Sequence, residues 1–326
     1  KTPGPPEIAA TELPFAQTWW TVRVYDAHGS SIYADPMLLT PFRLSLPVQN
    51  ATQGKRYASI QPALDEAQSG DEIVLNEGTY EEDLDFADKS LTLRSVDPNR
   101  PGAAAATIIH GTQTVVTLSG ANAGSTLAGL TLTGGTRGLL CAGTHPALTR
   151  CRIVGIRGPG LELREGASPN LSRCLIVDNE ADGVLMVKEA GRAARTCRPT
   201  LTNCTIARNG QAGVSGGAPT VTNCIIYFNA VSLTGTPVAV TYSDIQGDWP
   251  GAGNLSADPQ FADDYHLKST AGRWDPLTGT WVRDDVTSPC LDAGDPALPV
   301  LDEPVPNGNR LNLGAYGGTP EASKSP

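Results

Sequence analysis

A repeat of about twenty residues in the middle of the chain constrains the fold more than any other feature. Five segments align without gaps, and they are PALTRCRIVG, PNLSRCLIVD, PTLTNCTIAR, PTVTNCIIYF and VAVTYSDIQG, starting at Pro146, Pro169, Pro199, Pro219 and Val238. Apolar and polar residues alternate in each copy, which indicates a β-strand, and a glycine-led strand such as GLEL lies between copies. Strands this short cannot bury a face alone, so we predict that the copies stack as coils around a shared interior.

Cysteines mark equivalent positions of this repeat. Cys151, Cys174, Cys204 and Cys224 occupy the same place in four copies. Stacked coils place such residues about 4.8 Å apart, so we predict an inward ladder of small apolar side chains. Neighbouring cysteines would come within disulfide range, but parallel stacked side chains do not readily reach the required dihedral angle. Core packing is therefore favoured over disulfide or redox chemistry.

Asparagines recur at one of the corners between strands. Asn179, Asn209 and Asn229 stand at one equivalent place in successive copies. Asn tolerates the left-handed backbone conformation that a tight corner requires. We therefore expect these three residues to adopt it.

The beginning and the end of the repeat region carry further signatures. Residues 57–80 read YASIQPALDEAQSGDEIVLNEGTY, in which IQPALDEAQ predicts a short amphipathic helix before a strand. With the repeat and the C-terminal pieces SPCLDAGDP and LNLGAYGG, the chain resembles the pectin-lyase-like superfamily of right-handed parallel β-helix repeat proteins, over about residues 52 to 320. The resemblance implies an all-β, right-handed parallel β-helix (a solenoid) of a secreted bacterial protein, with the helix as its N-terminal cap.

Two regions are expected along the chain. Residues 1–48 contain TWWTVRVYDAHGSSIYADP, which alternates like a β-hairpin around DAHGS. We predict a small β-rich extension there, or the remnant of a fibronectin- or immunoglobulin-like module. Residues 49–326 are predicted to form the β-helix with a loop-rich C-terminal cap. We expect flanking domains of a longer protein on either side.

Charge and motifs exclude several functional classes. The formal net charge of −10 argues against general binding to nucleic acid or to anionic membranes. No stretch approaches the roughly 18 apolar residues of a membrane span. The sequence also lacks a serine nucleophile motif, a phosphate-binding loop and a dinucleotide-binding fingerprint.

Hydrolysis of a glycan needs two carboxylates about 5 to 10 Å apart. The predicted outward positions of the glycine-led strands, Leu140, Glu162, Leu185 and Ser215, offer one carboxylate. We interpret Glu162 as a solvated surface residue. Two groups of acidic residues could bind calcium through their carboxylate oxygens. Charged residues at the edge of a strand, which discourage aggregation, explain both groups as well. No other cofactor is predicted. These groups are Glu81, Asp83 and Asp85, and Asp258, Asp263 and Asp264.

Positive charge is concentrated on the middle coils. Residues 137–208 hold 11 basic and six acidic residues in a chain that is acidic overall. Stacking would turn them into one stripe that suits an extended anionic or hydroxylated chain, although a soluble basic surface explains them too. Tryptophans near the C-terminus suit either the faces of sugars or the end of the coil. The candidate substrate-binding residues are Arg150, Arg152, Arg173, Arg195, Arg198, Trp249, Trp274 and Trp281.

These observations favour a polysaccharide-binding β-helix module that works outside the cell or at its surface, as part of a larger protein. Its partner would be a plant or microbial polysaccharide, anionic ones included. One alternative is a polysaccharide lyase that cleaves uronic-acid glycans by β-elimination. Lys188 and Arg192 are its candidate bases, because the resemblance implies a basic residue that removes the proton beside a uronate carboxylate. A structural or adhesive surface protein is the other alternative. An enzyme is not favoured, and a lyase or a glycoside hydrolase is the class expected if there is one.

Overall fold

The structure is a computed structural model that describes residues 46–120, 124–188, 195–262 and 264–326, together with the backbone of 23–25 and 31–33. The chain divides into two compact units, Lys1–Ser45 and Leu46–Pro326. In the first unit, strands β1 (Arg23–Tyr25) and β2 (Ser31–Tyr33) pair in antiparallel fashion. The origin of this unit in a fibronectin- or immunoglobulin-like module stays a prediction.

The second unit consists almost entirely of short strands. In chain order the first half comprises β3 (Val48–Asn50), β4 (Lys55–Tyr57), α1 (Ile60–Glu66), β5 (Glu72–Leu75), β6 (Gly78–Tyr80), β7 (Leu84–Asp85), β8 (Thr92–Ser95), α2 (Ala103–Ala106), β9 (Thr107–His110), β10 (Thr114–Ser119), β11 (Thr126–Ala128), β12 (Thr131–Thr133), β13 (Arg137–Ala142), β14 (Ala147–Thr149), β15 (Arg152–Val154) and β16 (Leu161–Arg164). The second half comprises β17 (Asn170–Ser172), β18 (Leu175–Val177), β19 (Val184–Met186), β20 (Thr200–Thr202), β21 (Thr205–Ala207), β22 (Ala212–Ser215), β23 (Thr220–Thr222), β24 (Ile225–Tyr227), β25 (Val231–Leu233), β26 (Ala239–Thr241), β27 (Asp244–Ile245), β28 (Arg273–Asp275) and β29 (Thr280–Val282).

These strands build a parallel β-helix with three long sheets. The ten-stranded sheet contains β3, β4, β5, β8, β11, β14, β17, β20, β23 and β26; the eight-stranded sheet contains β6, β9, β12, β15, β18, β21, β24 and β27; the seven-stranded sheet contains β7, β10, β13, β16, β19, β22 and β25. Each coil contributes one strand to each sheet. Pairing is parallel throughout, apart from β3 and β4 at the N-terminal edge.

Equivalent residues of successive coils stand at the same level. Leu148 lies opposite Leu171, and Leu171 lies opposite Leu201, and all three side chains are fully buried. Alternation along each strand therefore sends one apolar row into the interior and the other row to the surface. The predicted all-β solenoid is confirmed.

Helix α1 (Ile60–Glu66) closes the N-terminal end of the coil, as predicted. Its side chains Ile60, Ala63 and Leu64 are buried in the core. The carboxylate of Glu82 accepts hydrogen bonds from the Ile60 and Gln61 N–H groups at 2.7 and 2.9 Å, which satisfies two backbone donors of the first helical turn.

Strand β3 pairs with β5, so the predicted domain boundary after residue 48 falls inside a strand of the coil.

The prediction for the asparagine corner was wrong in one respect. The left-handed residues are Asp178, Arg208 and Phe228, with φ between 54° and 59°, each one position before the asparagine. The asparagines are buried instead and bond to one another. The Asn209 side chain accepts the Asn179 Nδ2 group at 2.8 Å and donates to Asn229 Oδ1 at 2.9 Å. Their amides satisfy backbone groups that the turn leaves buried, which outweighs their preference for positive φ.

The repeated cysteines face the interior. Cys151, Cys174, Cys204 and Cys224 are buried free thiols, at most 1% exposed. The Cys204 N–H group donates to Cys224 Sγ at 3.3 Å, so adjacent positions touch. Burial also raises the pKa of the nearby interior thiol Cys141. Because the four repeat thiols are closed to solvent, they behave as small apolar side chains.

Residues 246–326, the C-terminal segment, fold back over the eight-stranded sheet. Tyr265 and Ala315 pack on the outer side of Leu175, Val177 and Ala207. Nearer the C-terminal end of the coil, Leu267, Cys290 and Leu313 pack on Ile225. The outer face of this sheet is therefore a second apolar layer, and it is closed to ligands where the segment lies on it.

Candidate functional site

The outer face of the seven-stranded sheet carries an unusual carboxylate. Pairing places Leu140 of β13 beside Glu162 of β16, and Glu162 beside Leu185 of β19. The flanking strand residues Leu161 and Leu163 point inward and are fully buried. Glu162 thus stands in the middle of an outward row, between two leucines.

Glu162 is held by two arginines. Arg137 Nε donates to its Oε2 at 2.6 Å, and Arg164 Nε donates to its Oε1. The Glu162 side chain is only 4% exposed, whereas that of Arg164 is 45% exposed. The interpretation of Glu162 as a solvated residue was wrong, because the leucines beside it and the guanidinium groups around it exclude water. Removing a charged carboxylate from water costs free energy, and such burial is tolerated only when the carboxylate is paired with a positive charge.

More basic side chains continue from this pair along the surface. Val187 N–H bonds to Leu163 O, so exposed Lys188 follows β19 one coil beyond Glu165. The long coil then returns with Arg195, whose side chain lies directly over Gly166, and with exposed Arg198. We call Arg137, Arg164, Lys188, Arg195 and Arg198 the basic rim. Arg192, the other candidate base, lies outside the described residues.

The remaining predicted arginines lie elsewhere. Arg150 and Arg173 occupy the corner between the ten- and eight-stranded sheets in the left-handed conformation, with φ of 51° and 54°. Arg150 donates to Asn99 O and Arg173 donates to Gly317 O, both at 3.3 Å. Arg152 is hydrogen-bonded to half-buried Tyr316 of the C-terminal segment. The expectation that the basic residues form one stripe was wrong. Positions that are close in sequence within one coil belong to different sheets, and Arg150, Arg152 and Arg173 hold loops in place.

The three tryptophans also separate. Trp249 is half-buried and packs against the end of the main core, as a cap would. Trp274 and Trp281 lie on the antiparallel pair β28 and β29, with ring centroids 5.6 Å apart in an edge-to-face arrangement. The Lys324 ammonium lies 4.3 Å from the Trp281 ring centroid. A sugar-stacking role for this pair stays a prediction.

The acidic groups considered for calcium are engaged in local hydrogen bonds. Asp83 accepts the Thr112 N–H and hydroxyl groups at 3.0 and 2.9 Å, and Glu81 contacts His110 Nδ1 at 2.6 Å. Asp264 contacts His266 Nδ1 at 2.9 Å, and Asp263 lies outside the described residues. Within the described ranges, no group of three or more acidic, histidine or cysteine side chains is arranged for a metal ion.

Sequence reasoning missed Arg137 and Arg164 as site residues. Arg164 stands two positions after Glu162 and therefore on the same face of the strand, which is a readable signal. Arg137 comes from the preceding coil, three positions before Leu140, which is the residue paired with Glu162. Its contact depends on the length and direction of its side chain, so the repeat alone could not reveal it.

Comparisons with known proteins support the fold. Residues 116–247 match the family model described as "Right handed beta helix region", and residues 220–294 match the model described as "Disaggregatase related". The predicted resemblance to right-handed β-helix repeat proteins is thereby confirmed. A crystal structure of pectate lyase Pel9A aligns with a TM-score of 0.46 and 14% identity, over 82% of this chain and 94% of that one. No curated protein matches the chain.

The helices of the chain are short. None of the helices in the described part of the chain has the length and apolar character of a membrane span. The two helices of the β-helix unit are seven and four residues long.

Proposed function

We propose that this chain is a polysaccharide-binding β-helix that works outside the cell or at its surface, and that its ligand carries carboxylate groups. The observation that carries the proposal is the ion pair of Glu162 with Arg137 and Arg164 on the outer face of the seven-stranded sheet, where the Arg164 side chain is 45% exposed. Because Glu162 holds the guanidinium groups in fixed positions, little side-chain freedom is lost when a ligand binds.

Arg164 retains donors for a ligand. A guanidinium group has five N–H donors, and the ion pair with Glu162 uses the Nε position. The half of the side chain that is exposed can therefore present the remaining donors to a carboxylate in a bidentate arrangement. Lys188, Arg195 and Arg198 add exposed positive charge beside it. In a chain of net charge −10, this local excess attracts an anionic polymer to one place.

The rim spans several coils, which suits a polymer. Arg137, Arg164 and Lys188 belong to or follow three successive strands of the same sheet, β13, β16 and β19. Strands of a sheet are about 4.8 Å apart, so the charges extend over roughly 10 Å along the coil axis. A ligand that repeats its charge along its length can meet more than one of them.

Affinity electrophoresis in gels that contain polygalacturonate tests the proposal. We expect retardation of the wild-type chain, and a loss of about tenfold in affinity for Arg164→Ala, because one charge-assisted contact is removed. Arg56→Ala is the matched control, since Arg56 is an exposed arginine on β4. Equal retardation of Arg164→Ala and the wild type would overturn the assignment of the site.

The same samples distinguish the other functions. If unsaturated sugar ends accumulate during incubation, the lyase alternative replaces binding alone, and Lys188→Ala then identifies its base. If neither polygalacturonate nor a panel of neutral glycans interacts with the chain, the structural or adhesive alternative takes its place.

A further inference from the structure

Two tryptophans of the C-terminal segment lie outside the apolar cores. Trp274 and Trp281 are half-buried, and neither is among the side chains that pack against the three apolar cores of the described residues. Trp249, in contrast, packs against the main core. An indole is a large apolar group, so leaving two of them outside every core forgoes much of the stabilisation that their burial would supply. Capping of the coil therefore does not account for this pair.

Both tryptophans lie on one side of the hairpin formed by β28 and β29. Trp274 pairs directly with Trp281 across the two strands. Side chains alternate along a strand, so Arg273, which precedes Trp274, points to the opposite side. There Arg273 Nε lies 3.2 Å from Asp284 Oδ2, and these two side chains are only 15% and 12% exposed. The arginine side thus packs on the protein, and the tryptophan side is the outer face of the hairpin.

Contacts at its base and at its tip hold the hairpin in one conformation. At the base, the Lys324 ammonium lies 4.3 Å from the Trp281 ring centroid, a cation–π contact that fixes the ring. At the tip, the Asp275 carboxylate accepts the Leu277 N–H and Thr278 hydroxyl groups at 3.0 and 2.8 Å. The rings are therefore oriented before a ligand arrives, which reduces the cost of ordering them on binding.

The charges on and beside the hairpin cancel. Residues 273–285 and Lys324 supply three basic and three acidic side chains. They are Arg273, Arg283, Lys324, Asp275, Asp284 and Asp285. A surface with this balance attracts neither an anionic polymer nor an anionic membrane strongly. The ligand that it suits is uncharged, with apolar C–H bonds for the indoles and hydroxyl groups for the polar side chains around them.

We propose that the tryptophan side of this hairpin binds an uncharged polysaccharide through the C–H face of a sugar ring. Rings whose hydroxyl groups are all equatorial fit best, because both of their faces are flat and carry only C–H bonds. The hairpin belongs to the C-terminal segment, whereas the basic rim lies on the seven-stranded sheet. The inference therefore adds a second, neutral ligand to the anionic one of the proposed function, and either can fail without the other.

Isothermal titration calorimetry with the full chain and cellohexaose or xylohexaose tests the inference. Both probes are uncharged and have equatorial hydroxyl groups. We expect at least one of them to bind, and Trp274→Leu to weaken its binding by about tenfold or more, because leucine is apolar but lacks a flat ring. Trp274→Tyr restores a ring and should bind within about threefold of the wild type. Phe228→Leu, at an exposed aromatic residue of the coil, is the matched control and should bind as the wild type does.

Polygalacturonate separates this site from the basic rim. Trp274→Leu should leave retardation by polygalacturonate unchanged, and Arg164→Ala should leave binding of the uncharged probes unchanged. If either variant weakened both ligands equally, the assignment of a separate neutral site to the hairpin would be wrong.

Thermal unfolding of each variant accompanies the titrations. Trp274→Leu should fold, because Trp274 packs against none of the apolar cores. If it does not fold, Trp281→Leu is titrated in its place. The inference is overturned if neither uncharged probe binds the wild-type chain, if the folded leucine variant binds as the wild type does, or if Phe228→Leu weakens binding as much.

Discussion

The coil and the C-terminal segment are stabilised in different ways. Within the described residues, the coil repeats one pattern from β5 to β27, with apolar rows inside and hydrogen bonds between equivalent residues. The C-terminal segment has one short antiparallel pair, β28 and β29, and depends on particular buried polar groups. Glu303 is the clearest of these, since its Oε1 accepts the Asn312 and Gly318 N–H groups at 2.8 Å each.

This difference shows which residues of the sequence specify the structure of each region. In the coil, equivalent residues of successive turns make the same kind of contact. Substitutions that preserve the alternation of apolar and polar residues are therefore tolerated. In the segment, each contact between a side chain and the backbone occurs once. The stability of the coil should therefore respond mainly to its interior, whereas that of the segment should respond to the protonation of buried groups such as Glu303.

The largest effect is expected from the buried asparagine row of the coil. Asn209→Ala removes the acceptor of Asn179 N–H and of one Asn179 Nδ2 hydrogen, and it removes the donor to Ile176 O, while Asn179 Nδ2 keeps its bond to Ile153 O. We expect the free energy of unfolding to fall by about 3 kcal/mol in urea titrations. Asn170→Ala, at an exposed position of β17, should change it by less than about 0.5 kcal/mol. Similar losses in both variants would contradict the role given to the row.

A pH-dependent effect is expected in the segment. Burial raises the pKa of Glu303 from 4.5 to about 7, so the folded chain keeps this proton to a higher pH than the unfolded chain does. The corresponding stability is present below pH 4.5 and is lost as the pH rises through about 7. Between about pH 5 and about pH 8 we expect a loss of about 2 kcal/mol.

Glu303→Gln should remove this dependence while it keeps an oxygen for the two N–H groups. Denaturant titrations at the two pH values measure it, and the variant should be the more stable chain at the higher pH. A wild-type stability that rises with pH while the variant stays constant would contradict the assignment.

The smallest effect is expected on the outer surface of the coil. Arg94 Nε contacts Glu72 at 2.6 Å on the ten-stranded sheet, with both side chains partly exposed. Glu72→Gln removes this ion pair and leaves the bonds of Arg94 to Ser95 O and Val96 O in place. It should lower the free energy of unfolding by about 0.5 kcal/mol, and added salt should shrink the difference. A loss as large as that of Asn209→Ala would contradict the expectation that the surface of the coil contributes less to stability than its interior.

The sequence predicted the periodic part of the fold and the helix that closes it. Alignment on Cys151 and its equivalents places the strands in the observed register, because period and alternation are local properties. The helix was readable from Ile60, Ala63 and Leu64, which share one side. These features need no knowledge of distant contacts.

The site and the covering of the eight-stranded sheet could not be read in the same way. Glu162 looks like any outward carboxylate, and its burial arises from Arg137 on another coil and from the leucines beside it. Arg150 and Arg173 look like surface cations, but a segment more than a hundred residues later contacts Arg173 through Gly317. Long loops carry no period, so their docking depends on single contacts that a pattern does not contain.

The C-terminal segment also has a mechanical consequence. Hydrogen bonds between strands of the coil run along its axis, so tension along that axis would separate one coil from the next. The segment runs beside the coil and contacts it at Asp178 through Tyr265, at Arg173 through Gly317 and near Gly102 through Glu321. It thus ties early coils to late ones, and a pulling force must detach it before the coils can peel apart singly. The same residues that seal one sheet would set the force at which the coil begins to unravel.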